Sequence, residues 1–403
     1  MIIHKPCLAL VTISNLKRSN MKTRFKLLTL AVGVMASCSA LAGDYPMTIT
    51  DVSGQTITLD HQPQHIALGT ARNFPLLEIV YGKNAGKHVV AMRDDMKISA
   101  PSMYEFYTNK YPNLKKVPEI GKISKGQFDA ESFIQMKPKP DVLIIGTSSM
   151  NSAKEKGLVK KLNDAGIQVI TADFREQTIK NTMTSVTSVA KALGYEDRGK
   201  AFADYYTKHL NVITDRIAKA KDLKPKTVFM ETAAGYTLDS CCYTYAGGNM
   251  DDFITLLKAT NIATKPLGGA HSGNMSPETI VAENPDVYIM QTAGWVDKKG
   301  NAMKGIPLGY AANDAAIKAA TKTLMDRSWL QATNANLTGN VFSIYKPFYN
   351  SPYNLVALEH FAKWIRPELF KDLTPEQTFV EMNKTLANSN VSGLFGIDNV
   401  DVI

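Results

Sequence analysis

Short apolar runs rich in β-branched residues alternate along this chain with stretches whose apolar positions recur every three or four residues. Residues 65–70, 88–92, 142–146 and 168–173 are of the first kind, and 228–232, 287–292 and 341–345 repeat the style later. Runs of this length and composition predict buried strands of an α/β domain. Between the two sets lies a periodic stretch over 196–221. There Phe202, Tyr206, Leu210, Ile213, Ile217 and Ala220 step by four, four, three, four and three. This spacing predicts one amphipathic helix about 39 Å long at about 1.5 Å per residue, stopped by Lys224-Pro225-Lys226. The expectation is therefore two Rossmann-like α/β lobes joined by a single long rigid helix, with a ligand cleft between them. Their bounds are 43–195 for the N-terminal lobe, 196–222 for the linking helix and 223–403 for the C-terminal lobe.

An internal echo supports two lobes. Asp129-Ala130-Glu131-Ser132-Phe133-Ile134 precedes Pro138 and Asp141, which lead into Val142-Leu143-Ile144-Ile145. Ser276-Pro277-Glu278-Thr279-Ile280-Val281 precedes Pro285-Asp286, which lead into Val287-Tyr288-Ile289-Met290. In both, a Glu lies seven residues before a Pro, on the first turn of a helix capped by Asp129 or Ser276. Either Glu alone reads as a helix-start acid favoured by the macrodipole. Two at matching places point to a shared role.

The first 42 residues differ from the rest. They hold six basic residues and no acidic one. From Met21 a basic stretch, 22–26, precedes an apolar run, 27–36, and then Ala40-Leu41-Ala42. That order predicts a cleavable signal peptide starting at Met21, with an apolar run too short to span a bilayer. Lipid anchoring at Cys38, in Met-Ala-Ser-Cys, is the minor alternative. Without the six bases, 40 basic residues face 37 acidic ones, a net charge near +3. The basic pI thus belongs mostly to the leader, and no basic stripe of the kind nucleic acid needs is present.

Of four cysteines, only Cys241 and Cys242 follow the leader, so cross-links cannot build this fold. The adjacent pair fits either a vicinal disulfide plate or two reduced small hydrophobes. The chain has no His-Glu-x-x-His, Gly-x-Ser-x-Gly or Gly-x-x-x-x-Gly-Lys pattern. Histidines 61, 65, 88, 209, 271 and 360 are scattered, without the spacing of a bare-metal site. No base or metal cluster suggests catalysis, so an enzyme is not expected and neither is a cofactor.

Taken together, these motifs resemble the periplasmic binding proteins of ABC importers with a rigid helical backbone, which serve ferric siderophores, haem and cobalamin. The likeness runs from the hairpin sequence Thr48-Ile49-Thr50-Asp51-Val52-Ser53-Gly54-Gln55-Thr56-Ile57-Thr58-Leu59, through both Glu-containing echoes. It ends at Lys363-Trp364-Ile365-Arg366-Pro367-Glu368-Leu369-Phe370. It implies a monomeric periplasmic receptor that captures an iron(III) complex of ferric-siderophore type and hands it to a two-fold inner-membrane permease. Haem, cobalamin or an oxyanion such as molybdate are the alternatives within the fold, and a chelatase-like enzyme is a weaker one. By position, the resemblance assigns permease docking to Glu131 and Glu278. It also places Lys125, His271 and Ser272 on the cleft rim.

The ligand is expected where loops leave the C-terminal ends of strands. Beyond the leader there are 33 Lys but only seven Arg, and Arg72, Arg93 and Arg175 each follow a predicted strand. They suit an anionic ligand, or else serve as ordinary salt-bridged arginines. Tyr236, Tyr243 and Tyr245 flank Cys241, Trp295 follows a strand, and Tyr345 and Tyr349 flank Lys346-Pro347-Phe348. Such rings can stack on a flat chelate. Tyr104 and Tyr107 offer the same from the first lobe, with Tyr107 and Tyr111 equally readable as core aromatics.

Overall fold

The computed structural model describes residues 44–236, 241–297, 299–310 and 312–398; the predicted signal peptide, Met21 and Cys38 lie outside them. Among the described residues, thirteen strands form four sheets. They are β1 (Met47–Thr50), β2 (Thr56–Leu59), β3 (Ile66–Leu68), β4 (Val89–Met92), β5 (Val142–Ile145), β6 (Gln168–Thr171), β7 (Thr227–Thr232), β8 (Tyr243–Tyr245), β9 (Thr260–Asn261), β10 (Ser272–Asn274), β11 (Val287–Thr292), β12 (Val341–Tyr345) and β13 (Gly396–Ile397). The predicted runs 287–292 and 341–345 match β11 and β12, whereas the run at 65–70 yields only three strand residues. Past Leu68, Gly69 still donates to the Ile144 carbonyl (2.9 Å), and its bare backbone lets β5 come close: a Cβ there would lie within 2.6 Å of the Ile145 side chain. The chain then turns into a short 3-10 segment, Ala71–Asn73.

In the first half the sheet order is β4-β3-β5-β6, all parallel. In the second it is β13-β12-β11-β7-β9, parallel except for β13. Every residue of β5, β11 and β12 is buried, as strands covered on both faces require. In each sheet the chain builds outward one way, then returns to build the other. The reversal falls between β3 and β5 and between β7 and β11, and crevices open beyond such points at the strands' C-terminal ends.

The predicted linking helix runs over Glu196–Lys219, about 36 Å at 1.5 Å per residue. Phe202, Tyr206, Ile213 and Ile217 are buried on one stripe. Ala220, expected on that stripe, is instead the extended residue that ends the helix, since the chain must turn there to enter β7. Buried polar contacts fix the rod. Tyr206 donates to Asn354 Oδ1 (2.9 Å), Asn354 donates to Thr182 Oγ1 (2.6 Å), and Arg198 Nε donates to the Ile79 carbonyl (2.6 Å).

The two halves also share apolar core. Phe74 and Tyr107 of the first half meet at 4.6 Å, Tyr107 lies 5.8 Å from Tyr310, and Tyr310 lies 5.1 Å from Phe395 of the second. Tyr107 and Tyr111 are thus core aromatics, 0% and 7% exposed. A packed core moves between discrete arrangements and does not bend freely. Ligand addition is therefore expected to rotate the halves by a few degrees only. Small-angle scattering should record almost no change in radius of gyration; a large compaction would contradict this.

Candidate functional site

The strand ends of both sheets bring cations and phenols together. Arg72 follows β3; its Nε donates to Asp95 Oδ2 (2.8 Å) and its Nη1 donates to Tyr349 Oη (2.9 Å), in the turn after β12. Arg175 follows β6, and its Nη2 donates to Tyr245 Oη (2.8 Å) on β8. Two arginines of the first half therefore each hold a tyrosine of the second. Their guanidiniums also lie over rings, Arg72 at 5.4 Å from the Tyr349 centroid and Arg175 at 5.4 Å from that of Tyr245 and 6.0 Å from that of Tyr349. Local structure aims Arg175: Asp173 accepts its backbone N–H (3.1 Å), and the Asn249 N–H donates to its carbonyl (2.7 Å).

Lys346, which the sequence reading passed over, completes this group, with Nζ 4.7 Å from the Tyr349 centroid. Lys122 stands nearby. Its ammonium is pushed below the ordinary lysine range by burial first and then by Arg93 and Lys125. Arg93 itself is only loosely paired, 3.9 Å from Asp94 and 4.0 Å from Asp95. It lines a cavity of about 600 Å³ with Asp94, Asp95, Ile98, Glu119 and Lys122. Lys125 is exposed at the end of the short segment Ile123–Lys125. Tyr104 is half-buried on the helix Pro101–Lys110.

On the other side, past the end of β7, a cavity of about 320 Å³ is lined by Glu231, Thr232, Ala233, Tyr236, Cys241, Tyr243 and Asn274. Tyr236 and Tyr243 are 46% and 39% exposed. Tyr243 meets Tyr245 edge to face at 5.6 Å and donates to Ser272 Oγ (2.7 Å). His271, exposed, directly precedes β10 and faces Gly247, where a Cβ would come within 2.6 Å of its Nδ1. Tyr243 of this cavity therefore touches Tyr245, which Arg175 of the cationic group holds.

Two predicted rings do not reach open space. Tyr345 is 0% exposed, because β12 points it inward against Tyr310, Phe348 and Phe395. Trp295 is 3% exposed; it lies under Gly305 and meets Tyr236 edge to face at 5.6 Å, so it supports that ring from behind.

Cys241 and Cys242 are joined as a vicinal disulfide. The pair is anchored by reciprocal backbone hydrogen bonds between Cys242 and Met275 (2.8 and 3.0 Å). With Glu231 they form a group of three potential metal donors within 4.8 Å. The carboxylate is already taken, however: Arg327 Nη1 donates to both of its oxygens (3.0 and 2.9 Å) and Tyr288 donates to Oε2 (2.8 Å). The group is a wall, not an open metal centre. Arg327 and Glu231 are 12% and 5% exposed at the side chain. Arg327→Met would strand a buried carboxylate and is expected to cost about 3–5 kcal/mol in unfolding free energy. Urea denaturation measures it; a loss below about 1 kcal/mol, the scale of a surface pair, would show the clamp is unimportant.

Glu131 and Glu278 sit on the first turns of the short helices Ala130–Ile134 and Pro277–Glu283. The predicted caps are in place. Asp129 accepts from the N–H groups of Glu131 and Ser132, and Ser276 accepts from that of Thr279. Both glutamates are exposed, and Glu131 pairs with Lys161. The Glu278 carboxyl is held below the usual range, first by its own backbone N–H and then by Ser276.

Residues 89–346 match the family model described as periplasmic binding protein. An uncharacterized ABC transporter substrate-binding lipoprotein of Bacillus subtilis (strain 168), YvrC, is 26% identical over 246 residues, 61% of this chain and 69% of that protein. Among solved structures, the TroA-like periplasmic binding protein FepB from Veillonella parvula has a TM-score of 0.77 at 24% identity. That match covers 88% of this chain and 100% of the other. The molybdate-bound periplasmic binding protein MolA of Haemophilus influenzae has a TM-score of 0.62 at 15% identity, covering 86% of this chain and 99% of the other. With two parallel sheets facing one cleft across a single connecting helix, this chain belongs to the periplasmic binding proteins, the substrate-binding receptors of ABC transporters.

Proposed function

We propose that this receptor captures an anionic iron(III) complex of ferric-siderophore type between lobes 43–195 and 223–403, bridged by 196–222. It then delivers that complex as a monomer to a two-fold permease of the inner membrane. It works in the periplasm after cleavage of the leader, and the ligand arrives already chelated. The single observation that supports this most is the meeting of Arg72, Arg175 and Lys346 around Tyr349. Cations surrounded by rings suit a ligand that is both anionic and aromatic. The exposed rings of Tyr236 and Tyr243 extend the site for the organic part of such a chelate.

A second reading, a molybdate-type oxyanion, draws on the same cations and on the likeness to molybdate-bound MolA. A compact tetrahedral anion would leave the exposed tyrosines without a role, so it ranks behind the chelate. Titration of intrinsic fluorescence separates the readings, using a hexadentate ferric tris-catecholate, a ferric hydroxamate, haem, cobalamin and molybdate. Tight binding of the tris-catecholate is expected. Binding confined to the uncharged hydroxamate or to cobalamin would overturn the proposal, and turnover of any of these compounds would make it an enzyme.

A further inference from the structure

Lys346 is the first residue after β12 and opens the 3-10 segment Lys346–Asn350. Its side chain reaches the Tyr349 ring, beside Arg72 and Arg175. Among the described residues it makes no ion pair with a carboxylate. Its one side-chain hydrogen bond runs to Gln291 Oε1, at a long 3.4 Å. The charged groups near it are Arg72 from the turn after β3 and Arg175 from the turn after β6, both sharing the Tyr349 ring with it. The acids beside those two arginines are already used: Asp95 holds Arg72, and Asp173 holds the backbone N–H groups of Arg175 and Glu176. An ammonium in this place faces two guanidiniums and no counter-charge.

We propose that Lys346 makes ligand capture proton-linked: an anion entering the cleft draws a proton onto this amine and is then held by three cations instead of two. The inference rests on the reading of the cleft as a site for an anionic chelate. Its physical basis is that a nearby charge shifts a proton equilibrium. In the empty cleft, burial first and then Arg72 and Arg175 push the Lys346 ammonium well below the ordinary lysine range. A bound anion opposes all three effects and raises it again. The complex then holds more protons than the free protein, so affinity falls as pH rises through the free-site value. For one proton the fall is at most about tenfold per pH unit. The consequence is a receptor that grips an anionic ligand best on the acidic side and loosens as the medium becomes alkaline.

The test uses calorimetric titration of the purified protein with a hexadentate ferric tris-catecholate and, separately, with molybdate. Measurement in buffers of different ionisation enthalpy counts the protons taken up. For wild type, uptake is expected to grow as pH rises, and to do so below the ordinary lysine range. Lys346→Met should bind about ten- to a hundredfold more weakly at the acid end, the value of one charge-assisted contact. It should also lack the uptake that wild type shows. Lys346→Arg, permanently charged, should restore affinity but not the uptake. Comparing variants at one pH cancels protonation of the probe itself, and matching thermal midpoints exclude misfolding. If the anions bind but Lys346→Met shows wild-type affinity and uptake, the inference is overturned while the anionic reading stands. If neither anion binds wild type, the anionic reading fails and takes this inference with it.

Discussion

Replacing Glu131 and Glu278 together by alanine is expected to abolish ligand uptake in cells while leaving ligand affinity of the purified protein unchanged. Both carboxylates are exposed, and neither lies among the cleft-lining groups. Their helices should survive, because the capping side chains are Asp129 and Ser276 and not the glutamates themselves. Losing a helix-start acid at the solvent-exposed surface costs little, because solvent and salt screen its interaction with the helix dipole. The exposed pair between Glu131 and Lys161 adds little more. If these glutamates dock the permease, the double variant loses a pair of acceptors for its arginines, whose planar guanidinium binds a carboxylate through two parallel hydrogen bonds. Two such contacts at separate places fix orientation as well as affinity. Uptake in whole cells, set beside calorimetry of the purified variant, measures this. A variant that still supports transport, or that loses ligand affinity, would show that these are not docking groups.

Removal of the Arg175 guanidinium should weaken binding of an anionic chelate by about ten- to a hundredfold, as expected for one charge-assisted contact of about 1.5–3 kcal/mol. The deficit should be greatest at low ionic strength and shrink as salt screens a partly exposed charge. Arg175 is the cleanest of the three predicted arginines, since its side chain is held by Tyr245 and not by an acid. Arg72 does two jobs. Its Nε is the partner of Asp95, whose carboxylate is 2% exposed and also accepts the Ala71 N–H (2.8 Å). Arg72→Ala would strand that carboxylate and destabilise the fold along with the site, so Arg72→Lys is the more informative change. Arg93, loosely placed near two acids, should matter least. Titrations of wild type, Arg175→Ala, Arg72→Lys and Arg93→Ala at two ionic strengths decide the matter. Wild-type binding by all three variants would remove the anionic chelate from consideration and favour a ligand held by the rings alone.

The strands, the connecting helix and both Glu-bearing helix starts were legible because each is specified by neighbours in the chain. A run such as Val142-Leu143-Ile144-Ile145 is apolar on every side and fits only a position covered on both faces. The stripe from Phe202 to Ile217 follows from helical geometry, and Asp129 and Ser276 cap the residues that directly follow them. Where these rules failed, contacts from elsewhere in the chain intervened: β3 ends at Leu68, and the Ala71 N–H beyond it donates to Asp95.

Side-chain roles in the cleft were legible only in part. That arginines leaving strand ends would face a ligand crevice follows from the fold, and Arg72 and Arg175 do meet tyrosines of the other half. Yet Tyr345 and Tyr349 lie four residues apart and part company. The first ends a strand and points into the core, whereas the 3-10 turn after it carries the second to the arginines. Lys346 was passed over between Tyr345 and Tyr349, because with 33 lysines against seven arginines its residue type carried no signal. Its neighbours Arg72, Arg175 and Gln291 come from three distant segments. The sequence by itself determined the two sheets, the rod between them and the surface acids, since periodicity and capping act over a few residues. Only the tertiary structure decided which cations share one ring and which rings reach open space. Burial and electrostatic coupling depend on what distant strands bring within a few ångströms.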